Sequence, residues 1–145
     1  MIGLLQRVLE ADVSIAGETV GRIERGLLVF AAVHRDDTPR DTRRLAERIA
    51  GYRVFADDTG RMNLSLRDTG FGLLLVPQFT LAADTRKGMR ASFTHGAPPD
   101  KAEEYFLQLV AECRGLIGAA ECGRFGADMQ VSLTNDGPVT FWLES

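Results

Sequence analysis

A chain of 145 residues with 45% apolar and 26% charged residues has the size and composition of one soluble globular domain, and it is too apolar to stay disordered. A formal net charge of −3 argues against a protein that coats nucleic acid nonspecifically, although a local basic patch suffices to seat one RNA end. Arg7 and Glu10 interrupt the first apolar stretch before it reaches the ~7–15 residues of a signal-peptide core, and no run approaches the ~20 apolar residues that span a bilayer. The expectation is a cytoplasmic protein with no membrane partner.

In chain order, residues 2–9 (IGLLQRVL) and 11–16 (ADVSIA) are short β-like runs, and Ala16-Gly17-Glu18 is a turn signal leading into TVGRI. A β-meander is expected. Gly26 then opens LLVFAAVH, a continuous apolar run of the kind found in strands buried on both faces. Thr38, Pro39 and Asp41 supply a cap hydroxyl, a proline at the first helical position and an acid in the first turn, which predicts a helix to about Tyr52. Arg40, Arg44 and Arg48 share one stripe of that helix and read as a solvated face paired with Asp41 and Glu47. RVF, a DDTG turn, MNLSL and FGLLLVPQF follow. Ala102, Tyr105, Phe106, Leu109, Val110, Cys113, Leu116 and Ile117 keep the spacing of a core-facing helical stripe. ADMQVSL and VTFWLE read as two strands joined by a hairpin at TNDGP.

Much familiar chemistry is missing. Of the two histidines, His34 ends a strand and His95 lies in a Ser-Phe-Thr-His-Gly loop with no serine elbow or paired acid recognisable nearby, which gives little support to a Ser-His-Asp or Cys-His hydrolase. Cys113 and Cys122 are separated by eight residues, with Cys113 on the core stripe, so neither a zinc site nor a disulfide is suggested. The glycines are scattered singly and form no phosphate loop. Neither a metal nor a cofactor is expected.

Two polar interruptions of apolar strands remain. Gln78 and Thr80 follow Pro77 at the end of LLLVP, and a period of two puts them on one face of that strand. An edge strand with a solvated side would explain them equally well. The second interruption is Asn135-Asp136-Gly137-Pro138, where a simple hairpin turn has no need of the proline.

These residues fall into a larger pattern. QRV, LAERIAGYRVF, GRMNLSL, QFTLAADT, GMRASF, GRFGADMQVSL and NDGPVTFWL, in this order and spacing, cover nearly the whole chain, and the chain resembles the D-aminoacyl-tRNA deacylases from end to end. The resemblance implies a homodimeric α/β fold, a layered β/β/α single domain with a mixed sheet and two main helices, and composite active sites. It implies a pocket for the aminoacylated 3′-terminal adenosine of tRNA at Gln78, Phe79, Thr80 and Leu81, into which a Gly-cisPro motif, here Gly137 and Pro138, reaches from the other subunit. Arg7 is a candidate for support or RNA contact. The chain departs from the family pattern at Pro77, where serine is usual. A related group that removes L-alanine from mischarged tRNA carries proline at that position, but has alanine where Phe79 stands.

The expected reaction is hydrolysis of the ester between a D-amino acid, or glycine, and the terminal ribose. Backbone N–H groups near Phe79 and Thr80 are candidate oxyanion donors, and the resemblance implies that the substrate's own ribose hydroxyl assists the water. Arg86, Lys87 and Arg90 are candidates to meet RNA phosphates. DNA is not an expected partner. An L-alanyl-tRNA editing deacylase and a non-catalytic dimer that binds RNA ends are the alternatives.

Overall fold

The computed structural model describes residues 1–145. Ile2–Ile15 form one strand of 14 residues, β1, and the chain reverses through Ala16 and Gly17 at φ 49° and 81°. Positive φ at both central residues is the turn geometry whose twist suits a two-residue hairpin. β2 (Glu18–Ile23) and β3 (Gly26–Ala32) then run back along β1, Ile23 opposite Ala11 and Gly26 opposite Val8, with a bend at Glu24 and Arg25. The expected meander is therefore a single long hairpin. No turn residue separates the runs 2–9 and 11–16, and the strand runs on through Glu10, although the pairing skips Leu9 and Glu10.

β3 is buried along its length apart from a half-buried Phe30, as its unbroken apolar run predicts. Parallel to it lies β6 (Gly72–Pro77), from Gly26 opposite Gly72 to Ala31 opposite Pro77, and beyond that β7 (Glu121–Cys122), also parallel. The strands start so close together that a Cβ on Gly26 would sit 1.9 Å from the Gly72 carbonyl oxygen, which only glycine avoids.

Parallel neighbours need crossovers. β3 reaches β6 through α1 (Pro39–Gly51), the small hairpin of β4 (Phe55–Ala56) and β5 (Met62–Leu64), and the single turn α2 (Leu66–Thr69). β6 reaches β7 through α3 (Pro99–Ile117). α1 begins where Thr38 predicts. The Asp41 carboxylate accepts the Thr38 hydroxyl at 2.7 Å and its backbone N–H at 2.9 Å. Of its arginine stripe, Arg44 pairs with Glu47 at 3.7 Å and Arg48 donates to the Glu144 carbonyl at the far end of the chain. Asp41 binds Thr38 and Ser145 in place of the expected arginine.

The stripe of α3 buries Ala102, Phe106, Leu109, Val110 and Cys113 against Leu45, Ala46 and Ile49 of α1 and Leu27, Val29, Leu73 and Leu75 of the sheet. Leu116 falls at the stripe's edge and stays exposed. Emptying one large position of this cluster, Phe106→Ala, would cost ~3–5 kcal/mol.

Behind the sheet a second cluster joins Val8, Ala11, Val13, Ile23, Leu28, Leu74 and Val76. The sheet closes on it by curling. β2 crosses over β6 and β7 so tightly that a Cβ on Gly21 would be 3.1 Å from Leu74 Cδ1 and 3.3 Å from the Cys122 carbonyl oxygen. The stack is β/β/α with a mixed sheet.

The C-terminal hairpin expected at TNDGP is absent. Gln130–Glu144 form one strand, β8, antiparallel to β1 on both sides of that segment, from Ser14 opposite Gln130 to Ile2 opposite Glu144. Between Val8–Asn135 and Gln6–Thr140 three more residues are used on β8 than the ladder needs, so Asp136–Val139 bulge outward instead of reversing. β8 pairs with no strand but β1, leaving its other edge open. No helix is long and apolar enough to cross a membrane.

Candidate active site at the end of the sixth strand

β6 ends where proline can no longer donate to a ladder. Pro77 lies opposite Ala31, the Gln78 N–H donates to the Ala31 carbonyl at 2.8 Å, and the chain then winds into a 3-10 turn over Phe79–Ala82. Gln78 and Thr80 therefore do not project from a strand face. They are brought together by the turn, with the Gln78 amide donating to Thr80 Oγ1. In a turn of i→i+3 bonds the first internal donor is Leu81 N–H, which reaches the Gln78 carbonyl at 3.2 Å, so the N–H groups of Phe79 and Thr80 have no acceptor within the turn.

Two neighbouring cavities open beside this turn. One, of about 270 Å³, lies between the ends of β3 and β6 and α3, walled by Ala31, Val33, Pro77, Gln78, Phe79 and Phe93 among others. The other, of about 550 Å³, shares Pro77, Gln78 and Phe79 and is closed on its far side by Phe125 to Met129 and Val131. Their walls are mainly apolar with a few polar groups, the usual make-up of a small-molecule site. Phe79 is 62% exposed and its ring sits 5.2 Å from that of Phe93, also exposed.

Sequence reasoning names Gln78, Phe79 and Thr80 but misses the wall from Phe125 to Met129. The available signal is the GRFGAD segment, whose Gly126 at φ 73° turns the chain between β7 and β8.

The nearest titratable groups do not converge on Thr80. Its hydroxyl has the Gln78 amide as its only side-chain partner, while His95 Nε2 lies 3.7 Å from Asp84 and the His34 N–H donates to Asp37 at 2.6 Å. Cys113 is buried in the helical core, where desolvation, followed by the Glu112 charge, pushes its thiol up to about 12. No group of three or more His, Cys, Asp or Glu side chains is placed to hold a metal.

Gly137 and Pro138 wall neither cavity of their own chain. They sit on the β8 bulge, joined by a cis bond, with Gly137 at φ 129°. The bulge is held firmly. Asn135 Oδ1 accepts the Val139 N–H at 3.1 Å, and Asn135 Nδ2 donates to Thr140 Oγ1 at 3.0 Å. Arg7 Nε donates to the Asp136 carbonyl at 3.1 Å and Nη1 to the Val54 carbonyl at 2.7 Å, with the Asp136 carboxylate at 3.4 Å from Nε. Arg7 is thereby a brace for the bulge, its side chain 15% exposed. A Cβ on Gly137 would press on Arg7 Nη2 at 3.0 Å and on Val139 Cγ2 at 2.8 Å, so glycine is needed for space as well as for φ.

Arg86, Lys87 and Arg90 do gather. With Asp84 and Ser92 they line a shallow depression of about 470 Å³, without a hydrophobic residue in its wall, on the loop after the 3-10 turn. Arg86 grips Asp84 at 2.9 and 2.7 Å, which holds the Asp84 carboxyl well below the usual carboxylate range.

The family model for D-Tyr-tRNA(Tyr) deacylase matches residues 4–144. D-aminoacyl-tRNA deacylases of Alkalilimnicola ehrlichii and Pseudomonas fluorescens are 62% and 55% identical, covering 100% of this chain in each case and 97% and 100% of their own lengths. Among solved structures, a c-Myc DNA unwinding element binding protein superposes with TM-score 0.95 at 34% identity, covering 100% of this chain and 99% of its own. A structure described as a probable eukaryotic D-amino acid tRNA deacylase gives 0.85 at 17% identity over 99% and 98%, a likeness of fold. By a sequence match that runs almost from end to end, this chain belongs to the D-Tyr-tRNA(Tyr) deacylase family.

Proposed function

We propose that the protein is a D-aminoacyl-tRNA deacylase, which hydrolyses the ester between a D-amino acid, or glycine, and the 3′-terminal ribose of tRNA. The observation that carries this reading is the Gln78–Phe79–Thr80 turn set at the mouth of two apolar cavities, in a chain 62% identical to a D-aminoacyl-tRNA deacylase. The free N–H groups of Phe79 and Thr80 would receive the oxyanion of the tetrahedral intermediate, the contribution that is usually largest in acyl transfer. Thr80 has no base to activate it as a nucleophile, so water attacks, and the neighbouring ribose hydroxyl of the substrate is the group at hand to assist it.

Selectivity is assigned to Gly137 and Pro138 of a second copy. They stand exposed on a braced bulge away from their own chain's cavities, and β8 carries an open edge with Trp142 and Leu133 exposed, features that suit a homodimer. Rigid backbone carbonyls placed against the α-carbon exclude an L side chain by clash while a D residue or glycine fits. Lys87 and Arg90, beside an Arg86 that is paired with Asp84, supply positive charge for the RNA. Pro77 favours the L-alanyl-tRNA alternative, whereas Phe79 favours D-selectivity.

The test is single-turnover deacylation of matched D- and L-tyrosyl-tRNA, with glycyl- and L-alanyl-tRNA alongside. Faster loss of D-tyrosine and glycine is expected. Preference for L-alanyl-tRNA would move the chain to the editing group, and no hydrolysis of any substrate would leave a non-catalytic RNA-end module.

A further inference from the structure

The segment from Asp84 to His95 is more than a charged loop. Its base is closed by two backbone hydrogen bonds, Asp84 N–H to the Ser92 carbonyl at 2.8 Å and Ser92 N–H to the Asp84 carbonyl at 3.0 Å. Inside it Arg86 is tied to one carboxylate: its backbone N–H, Nε and Nη2 donate to Asp84 at 3.0, 2.9 and 2.7 Å, which neutralises its charge. Lys87 and Arg90 are exposed, and no carboxylate lies within ion-pair distance of either. The tied arginine fixes the loop, and the other two cations face outward.

A second, independent feature adjoins them. Phe79 and Phe93 form an exposed aromatic pair, rings 5.2 Å apart, and Phe93 follows directly on Ser92, which lines the basic depression. The same two rings wall the smaller cavity. One surface thus runs from cavity to aromatic pair to cations. Stacking faces beside unpaired cations are what single-stranded RNA requires, since unstacked bases seek aromatic partners and phosphates seek charge. Duplex nucleic acid keeps its bases stacked inside and would leave the aromatic pair unused.

We propose that this surface is a track for the single-stranded 3′ end of tRNA, with Phe79 and Phe93 stacking the base next to the terminal adenosine and Lys87 and Arg90 neutralising the phosphates before it. The inference rests on the deacylase reading for the identity of the RNA and goes beyond it in dividing the loop. Arg86 is a positioning residue, and Lys87 and Arg90 contribute affinity for nucleotides upstream of the reacting ester.

The experiment measures binding of uncharged tRNA as a function of salt for the wild type, for the Lys87→Ala/Arg90→Ala double variant and for the charge-preserving Lys87→Arg/Arg90→Lys variant. Each phosphate contact on a single strand contributes about 0.7 to the slope of log K against log salt, so the alanine variant should lose about 1.4 in slope and roughly tenfold in affinity. The charge-preserving variant should retain most of both. In parallel, kcat/KM for D-tyrosyl-tRNA divided by that for D-tyrosyl-adenosine, which carries no phosphate, should fall roughly tenfold in the alanine variant. An unchanged slope, or equal losses on both substrates, would overturn the track. Equal loss of affinity for duplex DNA through the same two residues would also overturn it, in favour of a duplex-binding surface. A wild type that hydrolyses neither substrate would refute the deacylase reading, and the salt slope on uncharged tRNA would still decide the track.

Discussion

Replacing Thr80 by alanine separates a pocket-lining hydroxyl from a nucleophile. The hydroxyl is exposed, accepts from the Gln78 amide, and meets no histidine or carboxylate. Its removal frees one amide donor that water can reach, so the loss is that of one ordinary hydrogen bond, ~0.5–1.5 kcal/mol, or about two- to tenfold in rate. Removing the nucleophile of a hydrolase that forms an acyl-enzyme instead costs on the order of 10⁴–10⁶ in kcat. The two cases differ by at least three orders of magnitude, far outside the scatter of a single-turnover assay. D-tyrosyl-tRNA in slight deficit over enzyme is quenched over time for wild type, Thr80→Ala and Thr80→Ser, with thermal melts to show that each variant is folded. The alanine variant is expected within about tenfold of wild type, with no acyl adduct in the mass spectrum of quenched enzyme. A fall of several thousandfold in the folded alanine variant, reversed by serine, or an adduct on Thr80, would refute ribose-assisted water attack and establish covalent catalysis.

Three further outcomes follow from the geometry. Pro77→Ser should leave the D-over-L preference and the deacylation rate within about tenfold, a barrier change under ~1.4 kcal/mol, because the ladder bond at this point is donated by Gln78; a switch from L-alanyl- to D-substrates on adding serine would place the wild type in the editing group. Arg7→Met should strand the Val54 and Asp136 acceptors, cost about 2–3 kcal/mol and lower the melting temperature by roughly 5–10 °C while weakening D-over-L selectivity more than the rate on glycyl-tRNA; unchanged selectivity in a folded variant would deny Arg7 its bracing role. Asp41 is held below its usual range first by the Thr38 hydroxyl, so its contribution to stability is complete above the unfolded value near ~4 and is lost as pH falls through the lower folded value. Urea midpoints should accordingly show no contribution from Asp41 to any change between pH 5 and 7.5, and a fall below pH 4 that is shallower in Asp41→Asn, with an equally steep fall in the variant counting against the link.

Where local pattern sets local structure, the sequence was sufficient by itself. The unbroken apolar run after Gly26 required burial on both faces, Thr38-Pro39 with Asp41 could only begin a helix, and the stripe from Ala102 to Ile117 had one side to hide. Gln78 and Thr80 also stood out, as polar residues at the end of a strand that had no use for them. The reason for their proximity lay elsewhere. A period of two put them on one strand face, but proline ended the strand at residue 77 and a 3-10 turn brought the two side chains together. What tertiary structure alone decided was strand pairing and the far wall of the site. Turn chemistry at TNDGP fits a hairpin, but β1 offered a partner on both sides of it, and the ladders that flank the bulge outweigh the preference of a five-residue segment. The wall from Phe125 to Met129 and the brace from Arg7 to Asp136 join residues that are ~50 to 130 positions apart in sequence from what they touch. Such contacts are fixed by how helices and sheet stack, and no window along the chain contains both ends of them.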